Sequence, residues 1–227
     1  MTTARLNYVN HAESATSAMG AFYWSVEESI KKIESETVGI IGVDGAMFMV
    51  RRDLYRPAPP HLIDDFYVSL SVLIAGARVI SVDDVWVSER SATNAFEEFK
   101  RKTRIACQSL NVHRALWRGL RRMPPLFVYA YISHRVLKWF LPFTLLFSGL
   151  SLFVSIGLAF GWKTAALVLL AAVAPLVVGA MLRIKPAPHA MTALLSIAGV
   201  GNGVLQSLFL SRTYTVWQLA DSVREES

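Results

Sequence analysis

The stretch WFLPFTLLFSGLSLFVSIGLAFGW, residues 139–162, decides the class of this protein. It holds 24 residues without a charge, and Lys138 and Lys163 bracket it. At about 1.5 Å per residue, a helix of this length exceeds the roughly 30 Å of hydrocarbon in a bilayer. The stretch therefore predicts a transmembrane helix.

Two further apolar runs follow the first. Residues 164–182 carry no charge, and neither do residues 190–211, although the latter run includes Asn202, Gln206 and three glycines. We therefore expect three transmembrane helices, near 136–161, 164–182 and 190–211. The two amides of the third run share one helix face, where they would either bond to another helix or line a polar pathway.

Pairs of glycines in these runs predict close packing. Gly157 and Gly161 are four residues apart, as are Gly199 and Gly203. Such spacing lets helix backbones approach one another in a membrane, and we expect this contact within the protein rather than between copies.

The charges divide the chain into two parts. The first 98 residues carry fourteen acids and eight bases, whereas residues 99–220 carry fourteen bases and no acid. The bias of positive charge toward the cytoplasm places residues 1–135 and 183–189 there, and the C-terminal tail on the far side. Because most of the bases flank the apolar runs, they suit an anionic lipid surface, and we expect no nucleic acid as a partner.

The first part alternates between helical and extended patterns, which is typical of an α/β domain. The expected helices are 16–36, 65–75 and 93–110, and the expected strands are 38–42, 46–52 and 77–89. We therefore expect a cytoplasmic α/β domain over residues 1–123 and a membrane domain over residues 124–227.

Two adjacent acids, Asp64 and Asp65, begin the second of these helices. Acids at a helix N-terminus cap free N–H groups and suit the helix dipole. An Asp at a loop–helix junction that opens into a cleft can also take a proton from a hydroxyl nucleophile. The residues alone leave both interpretations open.

Two other groups present a similar choice. Asp44, Gly45 and Ala46 either form a tight turn or bring the backbone close to a bulky ligand. Arg101 and Arg104 lie one helical turn apart and form either a solvated basic face or a pair of guanidinium groups for a diphosphate. The sequence has no Gly-rich phosphate loop, CxxC, HExxH or GxSxG motif, and its five scattered His predict no metal site.

Four segments occur in an order and spacing that point to a known family. They are VDGAMFMVRRDLY, HLIDDFYVSLSVLIAGARVISVDDVWVSE, EEFKRKTRIA and ISHRVLKWFLPF, with 36 residues from Asp65 to Arg101. Together they resemble the membrane-bound family 2 glycosyltransferases, the group that contains cellulose, chitin and hyaluronan synthases. The resemblance implies a GT-A-type domain that transfers a sugar, with inversion, from a nucleotide diphosphate sugar.

The resemblance also implies roles on the acceptor side. Asp65 matches the last acid of the family's T-E-D motif and would be the base that deprotonates the acceptor hydroxyl, while Asp64 matches the middle acid. Gly45 and Ala46 match the small-residue motif near the acceptor end, and Asp44 precedes them.

On the donor side, Arg101 and Arg104 occupy the first and fourth places of the Q-x-x-R-W motif, which contacts the donor diphosphate. Two places depart from the pattern, because Arg101 stands for the Gln and Ile105 stands for the Trp. Since that Trp is a platform for a growing chain in the processive synthases, its absence argues against a processive polymer synthase.

A larger departure concerns the metal. Family members carry a metal-binding D-x-D motif upstream of a strand that ARLNYVN, residues 4–10, matches here. Asp83 and Asp84 are no substitute, because they fall in a strand well after the base. We therefore expect the chain to be the C-terminal half of an enzyme that would need Mg²⁺ or Mn²⁺ when complete, with most metal ligands absent here.

The resulting expectation is a portion of an inverting glycosyltransferase in the cytoplasmic (inner) membrane, inactive alone. Its partners would be the lipid bilayer, a nucleotide-sugar donor, a glycan or lipid-linked acceptor, and a separate chain if the enzyme is split. The alternative is a catalytically silent membrane partner or scaffold of a glycosyltransferase.

Overall fold

The computed structural model describes residues 1–210 and Tyr214. It is a mixed α/β structure with a small sheet and three helices that are long and apolar enough to cross a membrane. The strands are β1 (Thr2–Tyr8), β2 (Phe48–Met49) and β3 (Ile80–Glu89), and the helices are α1 (Ala15–Glu36), α2 (Asp64–Ile74), α3 (Ala95–Leu120), α4 (Pro125–Tyr131), α5 (Leu137–Phe160), α6 (Trp162–Met181) and α7 (Ala187–Phe209). The predicted α/β class is confirmed, and three apolar helices of sufficient length occur where membrane spans were expected, whereas the GT-A assignment stays a prediction.

The sheet is small and mostly uncovered. Its strand order is β2–β1–β3, with β1 antiparallel to β2 and parallel to β3. Most side chains of β3 are exposed, and Trp86 is 67% accessible. Strand β3, at one edge of the sheet, therefore leaves the apolar side chains of Ile80, Val85 and Trp86 accessible.

Local sequence signals explain where the helices of the first part begin and end. Ser14 caps α1 by accepting the N–H of Ser17, and Asn94 caps α3 by accepting the N–H of Phe96. Gly76, at φ +79°, follows α2 in the left-handed conformation that ends many helices. All three predicted helices are confirmed, and α3 continues ten residues beyond its expected end at 110.

The predicted strand at 38–42 is wrong. Gly39 and Gly42 adopt φ values of +87° and +86°, which interrupt an extended backbone. Between them, Ile40 is fully buried and donates its N–H to the carbonyl of Val79 at 2.8 Å. The segment is thus a buried loop, and the strand expected at 46–52 shortens to Phe48–Met49.

Helix α1 packs with its charged face inward. Its helical spacing of Tyr23, Val26 and Ile33 predicted the helix correctly, yet Val26 and Ile33 are 46% and 63% exposed. Glu27 and Glu34 are instead only 3% and 5% exposed. Hydrophobic periodicity found the helix but not the face that it buries, because the partners of that face are cations from a distant segment.

The hydrophobic core lies between α2, α3 and the beginning of the membrane helices. Its fully buried members include Leu70 of α2, Val112 of α3, Tyr131 of α4 and Val204 of α7. A five-residue π-helical segment, Ile132–Val136, joins α4 to α5 without a break in the helical run. The membrane helices thus continue the core of the α/β layer.

The three apolar helices differ in their burial. Only 6% of the most apolar 18-residue stretch is buried in the helical run that contains α5 and in α6, whereas 33% of that stretch is buried in α7. The bounds agree with the expected spans near 136–161, 164–182 and 190–211. Ser211 and the tail, which was predicted to lie on the far side, are outside the described residues apart from Tyr214.

The glycine pair of α7 packs as expected, within the protein, whereas an added Cβ on Gly161 would have no atom within 4 Å. A Cβ on Gly203 would stand 2.2 Å from the carbonyl oxygen of Thr103, and one on Gly199 would stand 2.8 Å from that of Phe99. Both glycines therefore let α7 lie directly against α3. In α5, Gly157 makes room for the ring of Trp162.

Both amides of α7 form hydrogen bonds between segments. Asn202 Nδ2 donates to Thr103 Oγ1 at 3.4 Å, and Gln206 Oε1 accepts from the Tyr214 hydroxyl at 2.6 Å. Of the two interpretations left open by the sequence, the structure supports helix contact.

Candidate active site

The site begins at the N-terminus of α2, where the two predicted acids lie. The residue before the helix, Ile63, offers no side-chain cap, and Asp65 Oδ1 accepts the N–H of Phe66 at 2.5 Å. Asp64 is exposed, whereas Asp65 is half-buried. Both acids thus lie in the first turn of α2, and Asp65 is also partly shielded from solvent.

Burial raises the pKa of the Asp65 carboxyl to about 7. The negative charges of Asp64 and Asp44 add to this shift, and the Phe66 N–H and the positive charge of Arg135 oppose it. A carboxyl group with this pKa exchanges its proton near neutral pH, which is the property that a general base requires.

The loop at 44–46 lies against this carboxyl. Asp44 Oδ1 accepts the N–H of Ala46 at 3.2 Å, which forms a side-chain turn. A Cβ added to Gly45 would stand 3.3 Å from Asp65 Oδ2. The absence of a side chain at Gly45 therefore keeps the free oxygen of Asp65 uncrowded.

A buried lysine holds the loop in place. Lys31 Nζ lies 2.9 Å from Asp44 Oδ2 and 3.1 Å from Glu28 Oε1, and its side chain is 3% exposed. It also lies 4.2 Å from the centre of the Trp24 ring. Sequence reasoning missed Lys31, because nothing local distinguishes it from the neighbouring, exposed Lys32.

Arg101 pairs with a neighbour on its own helix. Its Nε lies 3.1 Å from Glu98 Oε2, and Glu98 is buried. Burial alone would lower the pKa of Arg101, but the charges of Glu98, Tyr8 and Glu89 raise it above its usual value. The group therefore stays positive, with its charge partly balanced.

Arg104 is influenced by the charges of the two acids of α2. Its Nη1 donates to Gln108 Oε1 at 3.2 Å. Burial and the positive charge of Arg101 lower its pKa, while the negative charges of Asp65 and Asp64 raise it. Arg104 thus lies within the electrostatic field of both carboxylates and of the second guanidinium.

The predicted residues are connected to different degrees. Asp65 and Gly45 lie close together, and the charge of Asp65 raises the pKa of Arg104. Arg101 forms an ion pair with Glu98. The larger of the two described cavities, of about 470 Å³, is a groove between β1 and α1, and neither cavity is lined by these four residues.

The residues of this region do not fit a divalent metal ion. Within residues 1–210 and Tyr214, no group of three or more His, Cys, Asp or Glu lies close enough to hold one. Asp83 and Asp84 are exposed side chains in β3, as expected. Any Mg²⁺ or Mn²⁺ would need further ligands.

A buried charge cluster joins α1 to the π-helical segment. His134 lies between two carboxylates, with Nδ1 2.5 Å from Glu34 Oε1 and Nε2 2.9 Å from Glu27 Oε1. Lys138 Nζ and Arg135 Nη1 also reach Glu27, at 2.6 and 3.1 Å. No His had been assigned a role, and the only sequence signal was the spacing of Glu27 and Glu34 on one helix face.

Arg135 links this cluster to the site. Its Nε donates to the carbonyl of Ile41 at 2.7 Å, and its Nη2 donates to that of Gly42 at 3.0 Å. The loop that ends at Gly45 is therefore anchored to the helix that enters the membrane.

Among known proteins, no family model, no curated protein and no solved structure matches this chain.

Proposed function

We propose that this chain forms the acceptor side of an inverting glycosyltransferase that moves a sugar from a nucleotide-sugar donor to a glycan or lipid acceptor at a membrane. The observation that carries the proposal is the Asp65 carboxyl, which has a pKa of about 7, lies beside Gly45 and shares its electrostatic field with Arg104. A base and a cation held this way suit a reaction that removes a proton and releases an anion.

Asp65 takes the proton of the acceptor hydroxyl. The oxygen then attacks the anomeric carbon from the side opposite the leaving group, and the bond from that carbon to the diphosphate oxygen breaks. Negative charge grows on the diphosphate as it leaves, and Arg104 offers a guanidinium group to it. Arg101 adds to the positive potential, although Glu98 balances part of its charge.

The donor-binding part would come from a further segment or a separate chain. Two features support this view: the exposed apolar side chains of Ile80, Val85 and Trp86 on β3, and a ligand set that does not fit a metal ion within residues 1–210 and Tyr214. We therefore expect this chain alone not to transfer sugar. The basic flanks of the membrane helices favour the cytoplasmic side of the inner membrane for the α/β layer.

Co-expression tests the proposal. The chain is produced together with a chain that carries a nucleotide-sugar-binding half with a D-x-D motif, and turnover of nucleotide sugar is measured in membranes. Asp65→Asn should abolish turnover. Arg104→Gln should reduce it by 10²-fold or more, because loss of one charge-stabilising donor raises the activation barrier by roughly 2.7–4 kcal/mol. Asp53→Asn, an exposed acid paired with Arg51, is the matched control and should leave turnover unchanged. Full activity of Asp65→Asn would refute the assignment of the base.

A catalytically silent partner of a glycosyltransferase is the second candidate, and the poor fit to a metal ion favours it. In that case the chain would co-purify with a synthase, and turnover would not change with Asp65→Asn or Arg104→Gln. The same set of variants therefore separates the two functions.

A further inference from the structure

Helix α7 is long and apolar enough to span a bilayer, but its surroundings differ from those of α5 and α6. One face is buried against the α/β layer, while the opposite face is apolar and exposed. The exposed face consists of Leu194, Ala198, Leu205, Leu208 and Phe209. A helix with one packed face and one apolar face suits the plane of a membrane surface, whereas α5 and α6 are apolar on all sides.

Helices α5 and α6 form a hairpin with its turn at Gly161. The distance from this turn to the points where α7 contacts the hairpin determines the orientation of α7. Pro142 lies 19 residues before the turn residue Gly161, and Gly179 lies 18 residues after it, so both are about 27–29 Å from the turn. A Cβ on Gly179 would meet Ala187 at 2.8 Å, and one on Gly201 would meet Pro142 at 2.9 Å.

Ala187 and Gly201 are 14 residues apart, or about 21 Å along α7. Both ends of this length touch the hairpin at the same distance from its turn. The helix therefore runs across the base of the hairpin. A helix that spanned the bilayer alongside α5 would place Gly201 about 21 Å nearer the turn than Ala187.

Contacts with the α/β layer lead to the same orientation. Near its start, Thr192 Oγ1 lies 3.5 Å from Thr16 Oγ1 of α1. Near its end, Ser207 Oγ donates to Asn111 Oδ1 at 2.8 Å, and the Ser207 carbonyl accepts from Arg114 Nη1 at 2.8 Å. Both ends of α7 thus touch the same layer.

The neighbouring helix α3 cannot lie in hydrocarbon. Gly199 meets Phe99, Gly203 meets Thr103 and Ser207 meets Asn111, so α7 runs parallel to α3 over this length. That part of α3 carries four Lys and Arg within five residues, 100–104. Since charges of this density are excluded from the bilayer core, α7 lies at the level of the membrane surface.

We propose that α7 lies flat in one membrane interface, with its exposed apolar face on the acyl chains of one leaflet and its packed face on α1 and α3. Within residues 1–210 the chain then crosses the bilayer twice, through α5 and α6, and α7 stays on the side where the α/β layer lies. This proposal departs from the expectation of a third span, and it does not depend on the proposed function.

Side-specific labelling of single cysteines tests the topology. The native Cys107 is fully buried, so the wild-type chain gives a low background with a membrane-impermeant maleimide. Lys32→Cys marks the side of the α/β layer, Lys163→Cys marks the α5–α6 turn, and Ser227→Cys reports on the tail. We expect Ser227→Cys to react from the same side as Lys32→Cys and opposite to Lys163→Cys. Reaction from the side of Lys163→Cys would overturn the proposal.

Spin-label depth gives a second measurement. Nitroxides are attached to Leu194→Cys, Ala198→Cys and Leu205→Cys in reconstituted vesicles, and oxygen and nickel-chelate accessibility are compared. The three sites should share one shallow depth, whereas Leu150→Cys in α5 should be deep. An Ala198→Cys label as deep as that of Leu150→Cys, between two shallower neighbours, would show that α7 spans the bilayer.

Discussion

His134 and Glu27 are 107 residues apart in the chain, and their side chains meet at 2.9 Å in a buried cluster. The second ring nitrogen of His134 faces Glu34, and both nitrogens can donate only when the imidazole is protonated. The pair therefore joins α1 to the helical run that enters the membrane through polar contacts rather than through apolar packing.

Removing one partner of this cluster should destabilise the protein. His134→Ala removes a hydrogen-bond partner from each of two buried carboxylates, and the expected loss of unfolding free energy is about 3–5 kcal/mol. Thermal unfolding in detergent measures the change. Glu36→Gln, an exposed acid on the same helix, is the control and should shift the midpoint little. An unchanged midpoint in His134→Ala would mean that the cluster does not stabilise the fold.

The same cluster predicts a dependence on acid. Burial alone would raise the pKa of Glu27, but the hydrogen bond from His134 and the charges of Arg135 and Lys138 hold it well below its usual range. Because the pKa is lower in the folded state, the stabilisation is present above the unfolded value of 4.5 and is lost as the pH falls below it. The difference in unfolding midpoint between the wild type and Glu27→Gln should therefore be large at pH 7 and shrink below pH 4.5. A difference that stays constant over this range would contradict the prediction.

Asp65 should show the opposite dependence. Its pKa rises from 3.8 to about 7 on folding, so its contribution to stability is complete below pH 3.8 and is lost as the pH rises through 7. Asp65→Asn keeps an oxygen for the Phe66 N–H and removes the charge. We expect its unfolding midpoint to exceed that of the wild type at pH 8 and to approach it at pH 5, with Asp53→Asn as the control. A variant that is less stable than the wild type at pH 8 would show that the charged form of Asp65 is favoured by the fold.

Most of the helices could be predicted from the sequence because their signals are local, although α3 ends ten residues beyond its expected end. Ser14 and Asn94 mark two helix starts, Gly76 marks an end, and uncharged length alone identifies α5 and α6. The position of Asp65 at the start of α2 was predictable for the same reason.

What could not be predicted depends on contacts between distant segments. The inward charged face of α1 requires His134, which lies 100 residues from Glu34. The orientation of α7 depends on how Gly201 meets Pro142, and apolar length cannot distinguish a helix that crosses a membrane from one that lies on it. Lys31 became a candidate only when the fold brought it to Asp44.

The proposed reaction predicts a pH profile. Turnover in the co-expressed system should rise with pH and level off above about 7, as Asp65 becomes ionised. Asp64→Asn removes a negative charge that raises the pKa of Asp65, so the rise should move to lower pH, and the shift should be small because Asp64 is exposed and screened by salt. Asp53→Asn should leave the profile in place. A profile that does not move in Asp64→Asn, or that moves to higher pH, would contradict the charge coupling.

Close contact between α7 and α3 gives a final prediction. A Cβ at Gly203 would stand 2.2 Å from the Thr103 carbonyl oxygen, a backbone atom that cannot move aside as a side chain can. Gly203→Ala should therefore push the helices apart and lower the free energy of unfolding by about 1–3 kcal/mol. Gly149→Ala in α5 is the matched control, since no atom lies within 4 Å of its added methyl group, and the gain in helix propensity should leave it neutral or slightly more stable. Denaturant titration of the two variants measures the difference, and equal stabilities would mean that α7 does not pack on α3 as described.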